Sequence, residues 1–168
     1  QLERWRAQGL HAWKRDAAAL WPATQPLLDQ IVDPGQFTFA RYAHRTLPHP
    51  AEPGLIHIGD AWHATSPQLG QGANMALLDA WALARALAES DSLESALARA
   101  VALRRRHIGL YQAMSRLLTP VYQSDGWLIP LLRDRLIGPV SKLPPVMRLQ
   151  AAMVAGLVGG PLAPLGLA

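Results

Sequence analysis

The sequence predicts an α/β-class (α+β) fold: a partial sheet of few strands followed by a C-terminal bundle of helices. Three observations carry this. The elements run in the order helix, two strands, then helices only. Leu55-Ile56-His57-Ile58 is apolar but for one residue, the pattern of a strand buried on both faces, which needs sheet neighbours. Two strands alone are marginal in water, so the remaining strands are expected upstream of Gln1. The chain opens without Met and directly in helix-like sequence, and is therefore expected to be the C-terminal part of a longer protein.

Each element has its own signal. Leu2 to Leu20 places Trp5, Leu10, Trp13, Ala17 and Leu20 at helical steps. Asp33-Pro34-Gly35 is a turn signal, after which Phe37 to Tyr42 alternates as a strand extending toward Leu47. Pro48-His49-Pro50 and Glu52-Pro53-Gly54 form turns, then Leu55–Ile58 forms a strand ended by Gly59-Asp60. A loop of about a dozen residues leads to a helix over Ala73–Ala88, with Leu77, Leu78, Trp81 and Leu87 as its core stripe. Asp91-x-x-Glu94 reads as a capping box for a long helix over Leu93–Leu118, stopped by Thr119-Pro120. Asp125 caps a helix over Gly126–Ile137, stopped by Gly138-Pro139, and Pro144-Pro145 opens a last helix over Val146–Val158. The organisation expected is 1–53, the end of a substrate-side region; 54–90, a ligand motif; and 91–168, a helical region.

Composition narrows the function classes. The chain has 168 residues, 50% apolar, which excludes a disordered chain and a disulfide-stapled mini-protein. Charged residues are only 17%, against about 25% in ordinary domains, so part of the surface is expected to face a partner. Cysteine is absent, which excludes disulfides, thiolate zinc sites and thiol nucleophiles and fits a reducing, cytoplasmic setting. The net charge of +4 gathers in Arg99, Arg104, Arg105, Arg106 and Arg116. No interleaved aromatics or motif accompany them, so they read as a solvated helix face and not as a nucleic-acid site. The apolar tail Leu149–Ala168 is broken by Gly156, Gly159, Gly160, Pro161 and Pro164. It reads as a packed extension, with a peripheral contact to the inner membrane as the alternative.

Residues 54–88 carry the chemistry. A strand end delivers Gly59 and Asp60 to a sheet edge, where ligands of α/β proteins bind, and Asp60 suits ligand hydroxyls. Gly70 and Gly72 allow close backbone approach. They precede a helix, whose first N–H groups favour an anion or a polarised carbonyl. The spacing Gly70-x-Gly72 lacks the third small residue of a dinucleotide fingerprint, since position 75 is Met75. His57, Asp60 and His63 match no standard metal spacing, so no metal is expected; Ser66 has no elbow motif or base. Asp79 reads as a structural acceptor.

Gly59-Asp60-Ala61-x-His63, Pro67, Gly70-Gln71-Gly72-x-Asn74 and Asp79-Ala80 together resemble the second flavin-binding motif of the FAD-dependent aromatic hydroxylases. These single-component flavoprotein monooxygenases include the ubiquinone-biosynthesis and hydroxybenzoate hydroxylases. Tyr122 to Asp125 and Leu131 to Asp134 are similar to the family's C-terminal helices. The resemblance implies part of a Rossmann-like FAD-binding domain, with FAD as cofactor and NAD(P)H as reductant. It implies that Gly59 and Asp60 bind the cofactor, Asp60 meeting the ribityl chain, and that Pro67 stands beside the flavin's oxygen-reactive face as the catalytic position. Leu69, Gly70, Gln71, Gly72, Ala73 and Asn74 would bring backbone N–H groups to the pyrimidine edge. The substrate implied is a small aromatic or quinone-precursor ring. Trp62 departs from the small residue usual after Gly-Asp-Ala. The family's Gly-x-Gly-x-x-Gly and middle Asp-Gly motifs are absent, so the N-terminal half of the same protein is an expected partner and the chain alone is expected to be inactive. Two rival readings are a non-catalytic helical interaction module and another flavoenzyme sharing the motif, a halogenase or prenyl reductase. The Trp-x-Trp-x-Ile-Pro of halogenases does not occur in this chain.

Overall fold

The computed structural model describes residues 2–38, 40, 42–124 and 126–167. They form two compact units, 1–41 and 42–168. In the first, the single helix expected over 2–20 is two: α1 (Leu2–Gln8) and α2 (Leu10–Leu20). They part at Gly9, whose φ of +81° suits only glycine without strain. A short α3 (Gln25–Leu28) follows. The Asp33-Pro34-Gly35 turn forms as expected, with Asp33 Oδ1 accepting from the Gly35 N–H at 2.6 Å. Phe37 does not begin a strand. Its ring stands edge-on to Trp5 and Trp13, at centroid distances of 5.4 and 4.8 Å. The described residues of 37–42 are irregular, while Phe39 and Arg41 lie outside the description.

The second unit is mostly helical with one small antiparallel sheet, as the α/β class with a C-terminal helical bundle requires. β1 (Arg45–Thr46) bridges to Ala64 and His63. β2 (Ala51–Glu52) and β3 (Leu55–Ile56) pair antiparallel, Ala51 opposite Ile56, across a Pro53-Gly54 turn. β3 is shorter than the 55–58 strand expected, and Leu55 is exposed. Its sheet neighbour among the described residues is β2 alone.

α4 (Asp60–His63), α5 (Gly72–Glu89) and α6 (Leu93–Gln123) follow. The core joins Trp62, Leu69, Met75, Val101, Ile108 and Tyr111. Trp62, the sequence's departure, is thus a core residue. The stripe expected on α5 is corrected. Leu78 is buried, but Leu77 is 71% and Trp81 49% exposed, and Leu87 is exposed too. The buried face is Met75, Leu78, Asp79, Ala82 and Ala86. Small residues win because Ala86 packs directly on Ala96 and Ala100 of α6, and close helix approach needs short side chains.

Three boundaries also move. Ser92, not Asp91, caps α6, its Oγ accepting from the Ser95 N–H at 3.2 Å. Pro120 lies inside α6, which runs to Gln123, so the helix passes the proline expected to stop it. Gly138-Pro139 does not stop its helix. α7 (Leu128–Leu132), a π turn at Arg133–Ile137 and α8 (Gly138–Ser141) run on, with Pro139 where the π turn gives way to α8. The expected cap Asp125 lies outside the described residues. α9 (Pro144–Val154) ends at Gly156 with φ +76°. Beyond it the apolar tail folds back: Leu165 and Leu162 pack on Leu78 and Ala82, and the Trp81 Nε1–H donates to Leu165 O at 3.0 Å. No described helix is long and apolar enough to cross a membrane.

Candidate functional site

The site is built where β3 runs into α5. Gly59 sits at φ +57°, and a Cβ there would lie 3.1 Å from the Ala76 Cβ, so glycine lets the chain lie against α5. Asp60 then opens α4 with an exposed side chain. Pro67–Leu69 form a 3₁₀ turn, and Gly70, left-handed at φ +62° and ψ 19°, reverses the chain. α5 begins at once, and no side chain caps it. The first-turn N–H groups of Gly72, Ala73 and Asn74 therefore carry the positive end of an 18-residue helix with no capping acceptor. A Cβ on Gly72 would lie 4.0 Å from Asp60 Oδ1, so the carboxylate and the helix start adjoin.

Asp60, Pro67, Leu69, Gly70, Gln71 and Gly72 line one cavity of about 200 Å³. Gly59 lies buried, outside its lining, and Ala73 sits at the exposed helix start. A larger open groove of about 460 Å³, between the β2–β3 turn and the start of α6, holds no motif residue.

The side chains of Gln71 and Asn74 face elsewhere. Gln71 is buried and its Nε2 donates to Val154 O, while Asn74 Nδ2 donates to Gln71 Oε1 at 2.8 Å. Tyr111 Oη donates to Met153 O at 3.1 Å and accepts from the Val158 N–H at 3.3 Å. The last turn of α9 and the residues after it thus buttress the Gln71 turn.

A buried charged network holds the other side. Asp79, 2% exposed, accepts from the Gly59 N–H at 2.9 Å, His63 Nε2 at 2.6 Å and Arg104 Nε at 2.8 Å. Burial raises its pKa, but the hydrogen bonds from His63, Arg104 and Gly59 outweigh this and hold the carboxyl below its ordinary range. Arg104, expected on a solvated face, is 1% exposed. It is corrected to a core cation; its periodicity with Ala100, Val101 and Ile108 is the signal that places it inside. Arg104 Nη1 donates to His107 Nδ1 at 2.9 Å, so the His107 proton sits on Nε2, which donates to Gly156 O at 3.1 Å. Burial and the Arg104 charge push His107 down to about 4.

Lining residues that escaped the sequence reading include Ile108, Tyr111 and Gln112 on α6, all three buried.

Among known proteins, residues 13–107 match a family described as FAD binding domain. Over 50 residues the chain is 44% identical to the FAD-dependent monooxygenase vrtH of Penicillium aethiopicum. That stretch is 30% of this chain and 12% of that relative, so the match spans a small part of the relative's length. No solved structure matches the chain.

Proposed function

Since the chain belongs to the FAD binding domain family, with FAD as its cofactor, we propose that it is the flavin-contacting part of a monooxygenase. The proposed enzyme uses NAD(P)H and dioxygen to hydroxylate an aromatic or quinone-precursor ring. One observation carries this reading: Asp60, Pro67 and the Leu69–Gly72 turn converge on one cavity at the uncapped start of α5.

The residues fit the group. Asp60, exposed beside the helix start, would accept hydrogen bonds from ribityl hydroxyls. The N–H groups at Gly72, Ala73 and Asn74 and the helix dipole favour negative charge on the pyrimidine edge. Gly70 and Gly72 keep Cβ atoms out of the approach. Gln71 and Asn74 act as positioning residues, their amides spent on the C-terminal segment. Gly59 orients Asp60 and is itself held by Asp79. Pro67 forms the wall at the reactive face. When bound, FAD supplies the redox chemistry by which one oxygen atom of O₂ reaches the ring; the chain supplies position, field and exclusion of water. Residues 1–53, 54–90 and 91–168 are proposed as the substrate-side end, the flavin motif and the supporting helices.

The test is coupled consumption. The full gene product with FAD should oxidise NADH or NADPH faster when an aromatic substrate is added, consuming one O₂ per hydroxylated product. NAD(P)H oxidation with reduction of a substrate double bond, and no oxygen incorporated, would contradict the monooxygenase reading in favour of a reductase.

A further inference from the structure

The helical run from α7 through the π turn to α8 is turned inside out. Its partly covered positions are Pro130, Arg133, Gly138 and Ser141. They are spaced as one helix face, the longer step from Arg133 to Gly138 falling on the π turn. Leu128, Leu131, Leu132, Leu136, Ile137 and Val140 stand exposed, Leu136 at 61%. An amphipathic surface helix does the reverse and lays its apolar stripe on the core. The exposure continues at both ends. Trp127, just before α7, is 77% exposed, and Leu143 and Met147 at the start of α9 are exposed as well. No residue of α7, the π turn, α8 or α9 is buried. An exposed apolar run of this length marks a surface that a partner covers.

The charges on the run select the partner. Between Gly126 and Val158 the chain carries Arg133, Arg135, Lys142 and Arg148 but one acidic residue, Asp134. Asp134 is spent on Arg133, whose Nε donates to its Oδ1 at 2.8 Å. Arg135, Lys142 and Arg148 are exposed and have no carboxylate partner among the described residues. A second copy of the chain docked on this face would set like charges against one another. Exposed leucines among free cations, with a tryptophan at one end, match instead a helix lying in the interface of an anionic bilayer. No described helix is long and apolar enough to cross a membrane, so the face lies on the bilayer and does not span it. Leu162 and Leu165 of the apolar tail fold back onto α5 and take no part.

We infer that the 127–148 face docks on the surface of a bilayer rich in anionic lipid. Trp127 and the leucines of α7 and the π turn enter the headgroup boundary, while Arg135, Lys142 and Arg148 meet the lipid phosphates. This surface is separate from the flavin motif and does not rest on the monooxygenase reading.

Vesicle sedimentation of the full gene product tests it. Vesicles of equal parts phosphatidylcholine and phosphatidylglycerol should bind the protein about a hundredfold more tightly than phosphatidylcholine alone, at roughly fivefold for each of the three cations. The triple variant Arg135→Gln/Lys142→Gln/Arg148→Gln should bring the two lipids within about twofold. Leu136→Ser should weaken binding to both about tenfold. Leu77→Ser, also at an exposed leucine but on α5, should change neither. A wild-type protein that sediments with neither vesicle, or equally with both, overturns the inference. So does a triple variant that keeps the wild-type preference. Self-association without lipid that Leu136→Ser abolishes would also overturn it, by giving the face to a second copy.

Discussion

Asp79→Ala should lower stability by about 3–5 kcal/mol, because it leaves a buried cation without its counter-charge. Arg104 is inaccessible and its Nε has Asp79 Oδ1 as partner; His63 and the Gly59 N–H lose their acceptor too. Against a total of about 5–15 kcal/mol, this is a fall of roughly 10 °C or more in Tm, read by calorimetry or circular dichroism. The double variant Asp79→Ala/Arg104→Met should recover much of the loss, since removing both charges removes the uncompensated one. A single variant as stable as the wild type would show that the network holds nothing. The same groups make the protein acid-sensitive. His107 binds its proton below about 4 when folded but near 6.5 when unfolded. Between those values the unfolded state holds more protons, so stability is full above about 6.5 and falls as pH drops toward 4. Asp79, with its pKa lowered, adds a further loss in stronger acid.

Gly156→Ala should weaken FAD binding about tenfold or more while the α5–α6 core stays folded. A Cβ at 156 would collide with Asn74 Nδ2 and stand 2.7 Å from Gln71 Oε1, displacing the two amides that set the turn. The positive φ adds strain of about 1–3 kcal/mol for a residue other than glycine. Gly160→Ala separates the two effects: it has φ +60° and nothing within 4 Å of its Cβ, so it carries the strain without the collision. FAD titrations of both variants, followed by flavin fluorescence, decide the matter. Equal affinities would remove the C-terminal segment from the cofactor turn.

The 59–74 turn was legible because its chemistry is local. Glycine is needed at Gly59 and Gly70 for positive φ, and the helix start at Gly72 follows from the residues beside it. The long helices were legible from their periodicity. The rest depends on neighbours distant in sequence. Leu77 and Trp81 are larger than Ala82 and Ala86, so a stripe drawn by hydrophobicity picks the wrong face; the close approach of Ala96 and Ala100 picks the right one. Arg104 stands in a run of three arginines, and only the buried positions around it on α6 tell it from Arg105 and Arg106. Phe37 alternates like a strand residue, but Trp5 and Trp13 take its ring. The contact of Gln71 with Val154 spans 83 residues and leaves no local trace.

We propose that the 59–74 segment holds FAD through Asp60 and the start of α5. Titrating FAD into the full gene product and into its Asp60→Ala variant tests it most directly, by the visible absorbance of bound flavin. The wild-type protein should turn yellow and the variant should bind FAD about tenfold more weakly, from the loss of a charge-assisted hydrogen bond. A wild-type protein that stays colourless with added FAD, or a variant that binds it equally well, would show that this segment does not hold the cofactor in this way.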